Sequence, residues 1–379
     1  MTDDQDGVLA CEDDVLIAWD GANAGTIGYG KRGYIGSTIS RLRLHDTSKF
    51  YAPFIGMFLQ SNFSYLRKTA TGATIPHINR DALERISVPV FGHDDQVRIA
   101  TLLSKVESLI SRRREQLKQL DELLKSVFQK MFGDPVRNEM GWETVPLSKF
   151  GRLERGVSKH RPRNACELLG GKYPLIQTGE VSNAGTYITS YSHTYSDTGL
   201  KQSKIWGQGT LCITIAANIA KTGILTFDAC FPDSVVGFTV YPNEANILFV
   251  HHLFAFFQKI LEKNAPKAAQ KNINLEILRN LIVPKPPLDL QTQFSTIVTK
   301  VEFLRTQYTK SLTNLESLYG TLSQKVFKGE LDLSRVSLVK EADLRSKLFS
   351  LDVFFYVNHP LTFFLMVNDY TFYITTVRL

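Results

Sequence analysis

Residues 96–132 read QVRIATLLSKVESLISRRREQLKQLDELLKSVFQKMF, and residues 291–327 read QTQFSTIVTKVEFLRTQYTKSLTNLESLYGTLSQKVF. The two lines share Gln96 with Gln291, Lys105-Val106-Glu107 with Lys300-Val301-Glu302, Lys130 with Lys325 and Phe132 with Phe327. Every pair is separated by 195 positions, without a gap. The likeness extends upstream to Asn79 with Asn274 and Pro89 with Pro284. Between Ala73–Phe132 and Ala268–Phe327, 19 of 60 positions are identical. Solenoid repeats recur every ~20–50 residues, so this period is of another kind. It predicts two copies of one domain-plus-helix unit related by pseudo-two-fold symmetry.

The repeated lines are helical. Apolar residues fall at Ile99, Leu103, Val106, Ile110, Leu117, Leu120, Leu124, Val127 and Met131, with Arg113 as the exception. The second copy has Phe294, Val298, Val301, Tyr308, Leu312, Leu315, Tyr319, Leu322 and Val326, with Arg305 as the exception. Steps of four and three give the ~3.5-residue period of a coiled-coil seam. A four-helix-bundle core or a homodimer seam would read the same way, but two equal seams in one chain more simply bury each other, antiparallel. Each helix is expected to run about 35 residues, roughly 50 Å at ~1.5 Å per residue. Pro89, and Pro284 with Pro286 and Pro287, end the structure before each helix. Asn79 and Asn274 read as structural residues that cap or turn the chain into the following helical segment. Ahead of the second helix, Lys172–Thr178, Thr210–Ala216 and Val235–Tyr241 read as strands, and Ile247–Leu261 as a helix. An α/β domain with a bent or mixed sheet follows.

The chain has 379 residues, 43% hydrophobic and 21% charged, with a net charge of +7. This is globular composition with a basic excess compatible with a nucleic acid partner. Cys11, Cys166, Cys212 and Cys230 have no CxxC spacing, so a zinc site and a disulfide framework are not expected. The acidic start Met1–Asp6 differs from an export leader, and reduced thiols suit the cytoplasm. In the aromatic stretch Leu351–Leu379 the longest apolar run is Phe363–Val367, far below the ~20 residues of a membrane span.

Catalytic signatures are missing from the sequence. Gly170-Gly171-Lys172 lacks the leading glycine and the Ser or Thr of a phosphate loop. Gly21 to Gly28 reads as turn glycines rather than a dinucleotide fingerprint. His251 and His252 are adjacent, so on a helix they face different ways. Pro286-Pro287-Leu288 lacks both ends of the Asn-Pro-Pro-aromatic string of adenine methyltransferases.

Taken in order, these motifs resemble the specificity subunit of type I restriction–modification enzymes. The second copy carries Gly141-Trp142-Glu143, Leu147, Gly156-Val157-Ser158, Tyr173 to Val181, Gln270 to Asn274, Val283-Pro284 and Gln291. The first carries Thr74 to Asn79, Val88-Pro89 and Gln96, and Phe132-Gly133-Asp134-Pro135 marks the junction. The resemblance runs from Asp14 to Leu331. It implies an α+β protein: two α/β target recognition domains, the first incomplete, joined by two long helices in an antiparallel coiled coil. The expected divisions are 1–92 for the partial first domain, 93–132 for its helix, 133–288 for the second domain, 289–331 for the second helix, and 332–379 for an extra tail. By the repeat register Met1 aligns with Ser196, so the first domain is expected to lack its opening third.

The implied function is non-catalytic: reading a bipartite DNA site, with the coil as spacer, beside methyltransferase (modification) and restriction subunits. S-adenosylmethionine, ATP and Mg would then be bound by those partners, and no metal by this chain. The alternative is a shortened or inactive subunit that acts as a protein scaffold or pairs with a second copy of itself.

Duplex DNA is held by Lys and Arg on phosphates and read by Arg, Lys, Asn and Gln on base edges. In the second domain the candidates are Lys159, His160, Arg161 and Arg163, in a loop after Gly156 that Pro162 keeps open. Gln177, Thr178 and Asn183 lie beside a glycine turn, and Asn218 and Lys221 in a polar loop after a strand. Lys267, Gln270, Lys271 and Asn272 form a further basic-polar cluster. In the first domain the candidates are Asn23, Lys31, Arg32, Lys68, Thr71 and His77.

Overall fold

The computed structural model describes residues 7–72, 74–160, 162–163, 165–216, 218–264, 273–334, 336, 363–367 and 370–374. The chain divides into two compact units, Met1–Ser111 with Thr313–Leu379, and Arg112–Leu312.

In the first unit the chain forms β1 (Val8–Ala10), β2 (Asp14–Ala18), β3 (Ile27–Tyr29), β4 (Gly33–Ile35) and β5 (Ile39–Arg43). Then come α1 (Ala52–Ser61), α2 (Phe63–Lys68), α3 (Arg80–Glu84) and the first half of α4 (His93–Phe132). β2 is the centre of an antiparallel sheet ordered β3-β2-β5, and β1 pairs with β4. Side chains alternate across a strand. Val15 and Ile17 therefore join the core made with Phe54 and Met57 of α1, while Leu16 joins Ala10 and Ile35. Ile99 and Leu103 of α4 and Val326 of the second long helix close the same core, and Phe54 packs edge-on against both Phe91 and Phe327. The side chain of Asn79 accepts a hydrogen bond from Ala82 N at 3.1 Å and caps α3.

The second unit contains β6 (Thr144–Pro146), β7 (Gly151–Arg155), β8 (Leu169–Leu175), α5 (Thr178–Asn183), β9 (Tyr187–Ile188) and β10 (His193–Tyr195). It continues with α6 (Asp197–Lys201), β11 (Ile205–Trp206), β12 (Leu211–Thr214), β13 (Thr222–Leu225), β14 (Ala229–Cys230) and β15 (Val235–Val240). Last are α7 (Ile247–Asn264), α8 (Leu275–Arg279), β16 (Ile282–Pro284) and α9 (Leu288–Phe327), whose final turns lie in the first unit. The sheets are β7-β15-β12-β13-β9, β10-β8-β14-β11 and β16-β6. Both larger sheets are mixed, because β13 pairs parallel to β9 and β14 parallel to β8. The expected strand Lys172–Thr178 stops at Leu175, and Thr178 opens a helix instead. Beyond Leu331, β17 (Phe363–Val367) and β18 (Tyr370–Ile374) form an antiparallel pair.

The 195-residue register extends far beyond the stretch in which identity is visible. The limits of α3 and α4, moved by 195, are the limits of α8 and α9. The sheet order β3-β2-β5 recurs as β13-β12-β15, and the pair β1-β4 as β11-β14. Gln96 and Gln291 are 2% and 0% exposed and do the same work. Gln96 accepts from Tyr51 N and donates to Phe91 O; Gln291 accepts from Asn246 N and donates to Pro286 O, each partner also 195 residues on. Residues 133–201, with β6–β10 and α5, have no counterpart among the described residues of the first copy.

The long helices run antiparallel within each unit. In the first, Glu107 meets Tyr319. In the second, the guanidinium of Arg113 lies 4.3 Å from the Tyr308 ring centroid, Arg305 pairs with Asp121, and Phe128 packs edge-on against Phe294. Each helix has 40 residues, about 60 Å, longer than the apolar seam suggested. Leu117, Tyr308, Leu312 and Leu315 are only half-buried, because a two-helix seam covers a side chain from one direction. Near the second domain the helix face widens and Phe128, outside the expected seam, is wholly buried. Gly133 at φ 74° ends α4, in a left-handed conformation that suits glycine, and Trp142 Nε1 donates to Phe132 O at 3.0 Å.

All four cysteines are free thiols. Cys11 and Cys166 are exposed; Cys212 and Cys230 are buried, and burial pushes the Cys230 thiol up to about 11.

His251 and His252 on α7 are half-buried against the core of the second unit. Thr222 Oγ1 lies 2.9 Å from His251 Nδ1, and the His252 ring stands edge-on to Phe294. Burial, then repulsion from the neighbouring imidazole for His251 and from the Arg305 guanidinium for His252, lowers them to about 3 and about 4. Below a pH of about 6.5 the unfolded chain takes up protons that the folded chain refuses. Stability is therefore complete above that pH and falls as the pH drops toward 4. The expected loss is on the order of 1 kcal/mol per histidine per pH unit. Urea unfolding at pH 7.5, 6 and 5 measures it, and His252→Gln should flatten the slope.

Candidate nucleic-acid interface

In the second unit, the loop after β7 is fastened to the turn Phe231–Ser234. Gly156 N donates to Val235 O at 2.8 Å and Val157 N to Phe231 O at 3.2 Å. A Cβ on residue 156 would stand 2.1 Å from Pro232 O and 2.6 Å from Phe231 O, so only glycine permits this approach. Gly156→Ala is expected to lower the stability of the second unit by about 1–2 kcal/mol, read from its urea midpoint. Beyond Gly156, the side-chain oxygen of Gln202 accepts from Lys159 N at 2.7 Å and His160 N at 3.1 Å. The Lys159 side chain is exposed and has no ion-pair partner among the described residues.

Its neighbours are more constrained. Arg163 makes a short ion pair with Asp233, and Arg155 Nε donates to Asp233 O at 2.5 Å. His160 Nε2 lies 3.8 Å from Glu167. Arg163 is thus partly neutralised in place, whereas Lys159 presents an open charge. Arg155 is not among the candidates named from the sequence; its place at the end of β7, just before Gly156, is the signal that could have found it.

The same turn leads to the second polar group. Ile215 N donates to Ser234 O at 3.0 Å, which places the β12–β13 loop beside Asp233. In that loop Thr214 Oγ1 donates to Asn218 O and accepts from Lys221 N at 3.1 Å. Asn218 Nδ2 donates to Ser182 Oγ of α5 at 3.2 Å. Lys221 is exposed and without an ion-pair partner among the described residues. Ala220 has φ 59°, and Gly25, 195 positions earlier, has φ 91°. Asn23 and Asn218 are related by the same shift, so both copies present an asparagine ahead of a left-handed residue.

Gln177, Thr178 and Asn183 belong to one short helix, not to a glycine turn, because Gly179 lies inside α5. Gln177 is its N-cap, and its backbone N–H donates to the Glu180 side chain at 3.1 Å. Burial pushes the Glu180 carboxyl up, but hydrogen bonds from Gln177 N and Ser192 N among others outweigh it, and the net direction is down. The Gln177 backbone is thus tied into the start of the helix. Asn183 is exposed and lines an open polar cleft of about 370 Å³ with Glu180, Tyr187, Thr189, Ser190 and Ser192.

In the first unit His77 ties three segments together. It pairs with Thr71 through the backbone, bridges to Asp20, and places Nδ1 2.5 Å from Asp20 Oδ1. Arg67 donates to Ala22 O and Ala24 O, fixing the loop that carries Asn23. Asn23, Thr71 and His77 therefore lie at one end of the domain, with Lys68 closing α2 beside them in sequence. Lys31 and Arg32 sit exposed on the β3–β4 turn, and no contact joins them to that group among the described residues. The arginines of β5 are structural. Arg43 is in a double hydrogen bond with buried Asp14, which lowers that carboxyl, and Arg41 donates to Leu9 O.

Arg161, Lys267, Gln270, Lys271 and Asn272 lie outside the described residues. Among the described residues no three His, Cys, Asp or Glu side chains gather as a metal would require. No described helix is long and apolar enough to cross a membrane.

Two copies of a mixed α/β domain, each followed by a 40-residue helix and each carrying a polar, basic loop end, define a two-site recognition protein. The pattern of the type I restriction modification DNA specificity domain matches residues 2–120 and 139–316, and the chain belongs to that family. It is similar to the type I restriction enzyme MjaVIII specificity subunit of Methanocaldococcus jannaschii, 22% identical over 87% of this chain and 82% of the relative. It is also similar to the EcoBI specificity subunit of Escherichia coli, 19% identical over 86% and 75%. The crystal structure of a type I restriction–modification S subunit from M. genitalium shares the fold, with a TM-score of 0.56, 17% identity and coverage of 84% and 83%.

Proposed function

We propose that this chain is the DNA-recognition subunit of a type I restriction–modification complex and has no catalytic part of its own. The observation that carries this is the family match in both copies, joined to a fold in which each copy is a loop-bearing domain on its own helix. Each domain reads one half of a bipartite duplex site. In this reading open cations such as Lys159 and Lys221 hold phosphates, and amides such as Asn23 and Asn218 address base edges. Modification and restriction subunits assemble on this scaffold and hold S-adenosylmethionine, ATP and Mg. Work of this kind belongs in the cytoplasm, where the duplex is.

The test is selection. The chain, co-purified with its modification subunit, is incubated with a pool of random-sequence duplexes, and the retained DNA is sequenced. Two enriched half-sites are the expected result. A stable complex with no enriched sequence would overturn the reading and leave a protein scaffold.

A further inference from the structure

The triplet Lys-Val-Glu occurs once in each long helix, at 105–107 and 300–302. Its lysines are exposed and its valines are core, so neither explains the carboxylate. In a two-helix coil that position flanks the seam and can meet the opposing helix, but need not touch a domain. Here both carboxylates turn inward and reach the recognition domain of their own unit.

Glu107 accepts two phenol hydrogen bonds in the first unit. Tyr29, on β3, donates to Oε2 at 3.2 Å, and Tyr319, on the opposing helix, donates to Oε1 at 2.6 Å. Glu302 repeats the arrangement in the second unit with different partners. Thr186, just ahead of β9, donates from Oγ1 to Oε1 at 2.8 Å, and Arg305 donates from Nε at 3.2 Å. Arg305 also holds Asp121 of the opposing helix at 2.6 Å. The Glu302 side chain is 12% exposed and Thr186 5%.

We propose that Glu107 and Glu302 are positioning residues that lock each recognition domain onto its stretch of coil, and thereby fix the separation of half-sites the protein accepts. Three points support it. The carboxylate recurs at the same register while its hydroxyl partners do not: Tyr29 corresponds to Ile224, and Tyr319 to Leu124. Two unrelated hydroxyls thus arrive at one repeated acceptor, as a mechanical role requires and a packing accident does not. Glu107 also ties three elements at once, its own helix, a strand end of the domain and the opposing helix, while Glu302 ties its helix to the domain and is joined to the opposing helix through Arg305. Apolar contact allows sliding, whereas a hydrogen bond to a carboxylate is directional and strong.

The inference rests on the proposed DNA reading, and the same pool selection tests both. Tyr29→Phe and Thr186→Val remove one hydroxyl each at nearly constant shape, and Thr186→Ser returns it. The wild-type complex is expected to enrich two half-sites at one spacer length. With Thr186→Val or Tyr29→Phe the same half-sites should appear over two or three neighbouring spacer lengths. Affinity for the original spacer should fall by about fivefold, the effect of one net hydrogen bond. Thr186→Ser should restore the single spacer. A stabilising role alone would lower the unfolding temperature and leave the spacer unchanged. If wild type and both variants keep one identical spacer, the positioning role is overturned and the DNA reading stands. If wild type enriches no pair of half-sites, the DNA reading falls and this inference with it.

Discussion

Gln291→Ala is expected to lower the stability of the second unit by about 3 kcal/mol, and Gln96→Ala that of the first by a similar amount. Neither residue is a hydrophobic core residue, and alanine fits either helix. The loss comes from what stays behind. Removing Gln291 strands the N–H of Asn246 and the carbonyl of Pro286, both previously joined to a side chain that is 0% exposed. A buried polar group without a partner costs about 1–3 kcal/mol, and two are created at once. Gln96 additionally donates to Lys49 O at 2.8 Å, but Lys49 is exposed and its carbonyl is satisfied by water once the amide is gone. Urea unfolding of each variant measures the effect. Gln291→Glu is the informative control: it keeps the acceptor for Asn246, but sets a carboxylate against the Pro286 carbonyl, and should do no better than alanine.

Lys159→Ala combined with Lys221→Ala is expected to weaken duplex binding by about 50-fold near 0.1 M salt. It should also reduce the slope of log affinity against log salt by about two, roughly one for each phosphate left without its cation. Arg163→Ala should behave differently. Its guanidinium already lies against Asp233, so its removal takes away a charge that is partly neutralised in place. Affinity falls there too, with a much smaller change in slope. Fluorescence titration of the complex with a selected duplex at four salt concentrations separates the two. An unchanged slope in the lysine double variant would remove both residues from the interface.

Much of the fold is legible in the sequence because the repeat is a physical constraint, not only a resemblance. Gln96 and Gln291 are identical because they make the same buried hydrogen bonds, and Asn79 and Asn274 because each caps a five-residue helix with 2.8–3.1 Å bonds. The seam residues are legible because two helices impose one period. Other features are written across distance and leave no local trace. Arg163 reads as an open basic residue until Asp233, 70 positions on, is found beside it. Gln177 and Thr178 follow a strand pattern, and the turn into a helix depends on Glu180 closing back on the backbone of Gln177. Phe128 lies outside the 3.5-residue seam because it packs on Phe249 and Phe256 of α7 rather than within a two-helix coil.

The distribution of cysteines gives the molecule a built-in pair of labelling points. Cys11 lies in one compact unit and Cys166 in the other, both exposed, while Cys212 and Cys230 are buried. A thiol-reactive probe at neutral pH should therefore attach once per unit, the raised thiol of Cys230 and the enclosed one of Cys212 reacting last. Spin labels or a donor–acceptor dye pair can then follow the distance between the two halves directly. Such a measurement reads in ångströms what half-site selection reads in base pairs, and it requires no engineered residue.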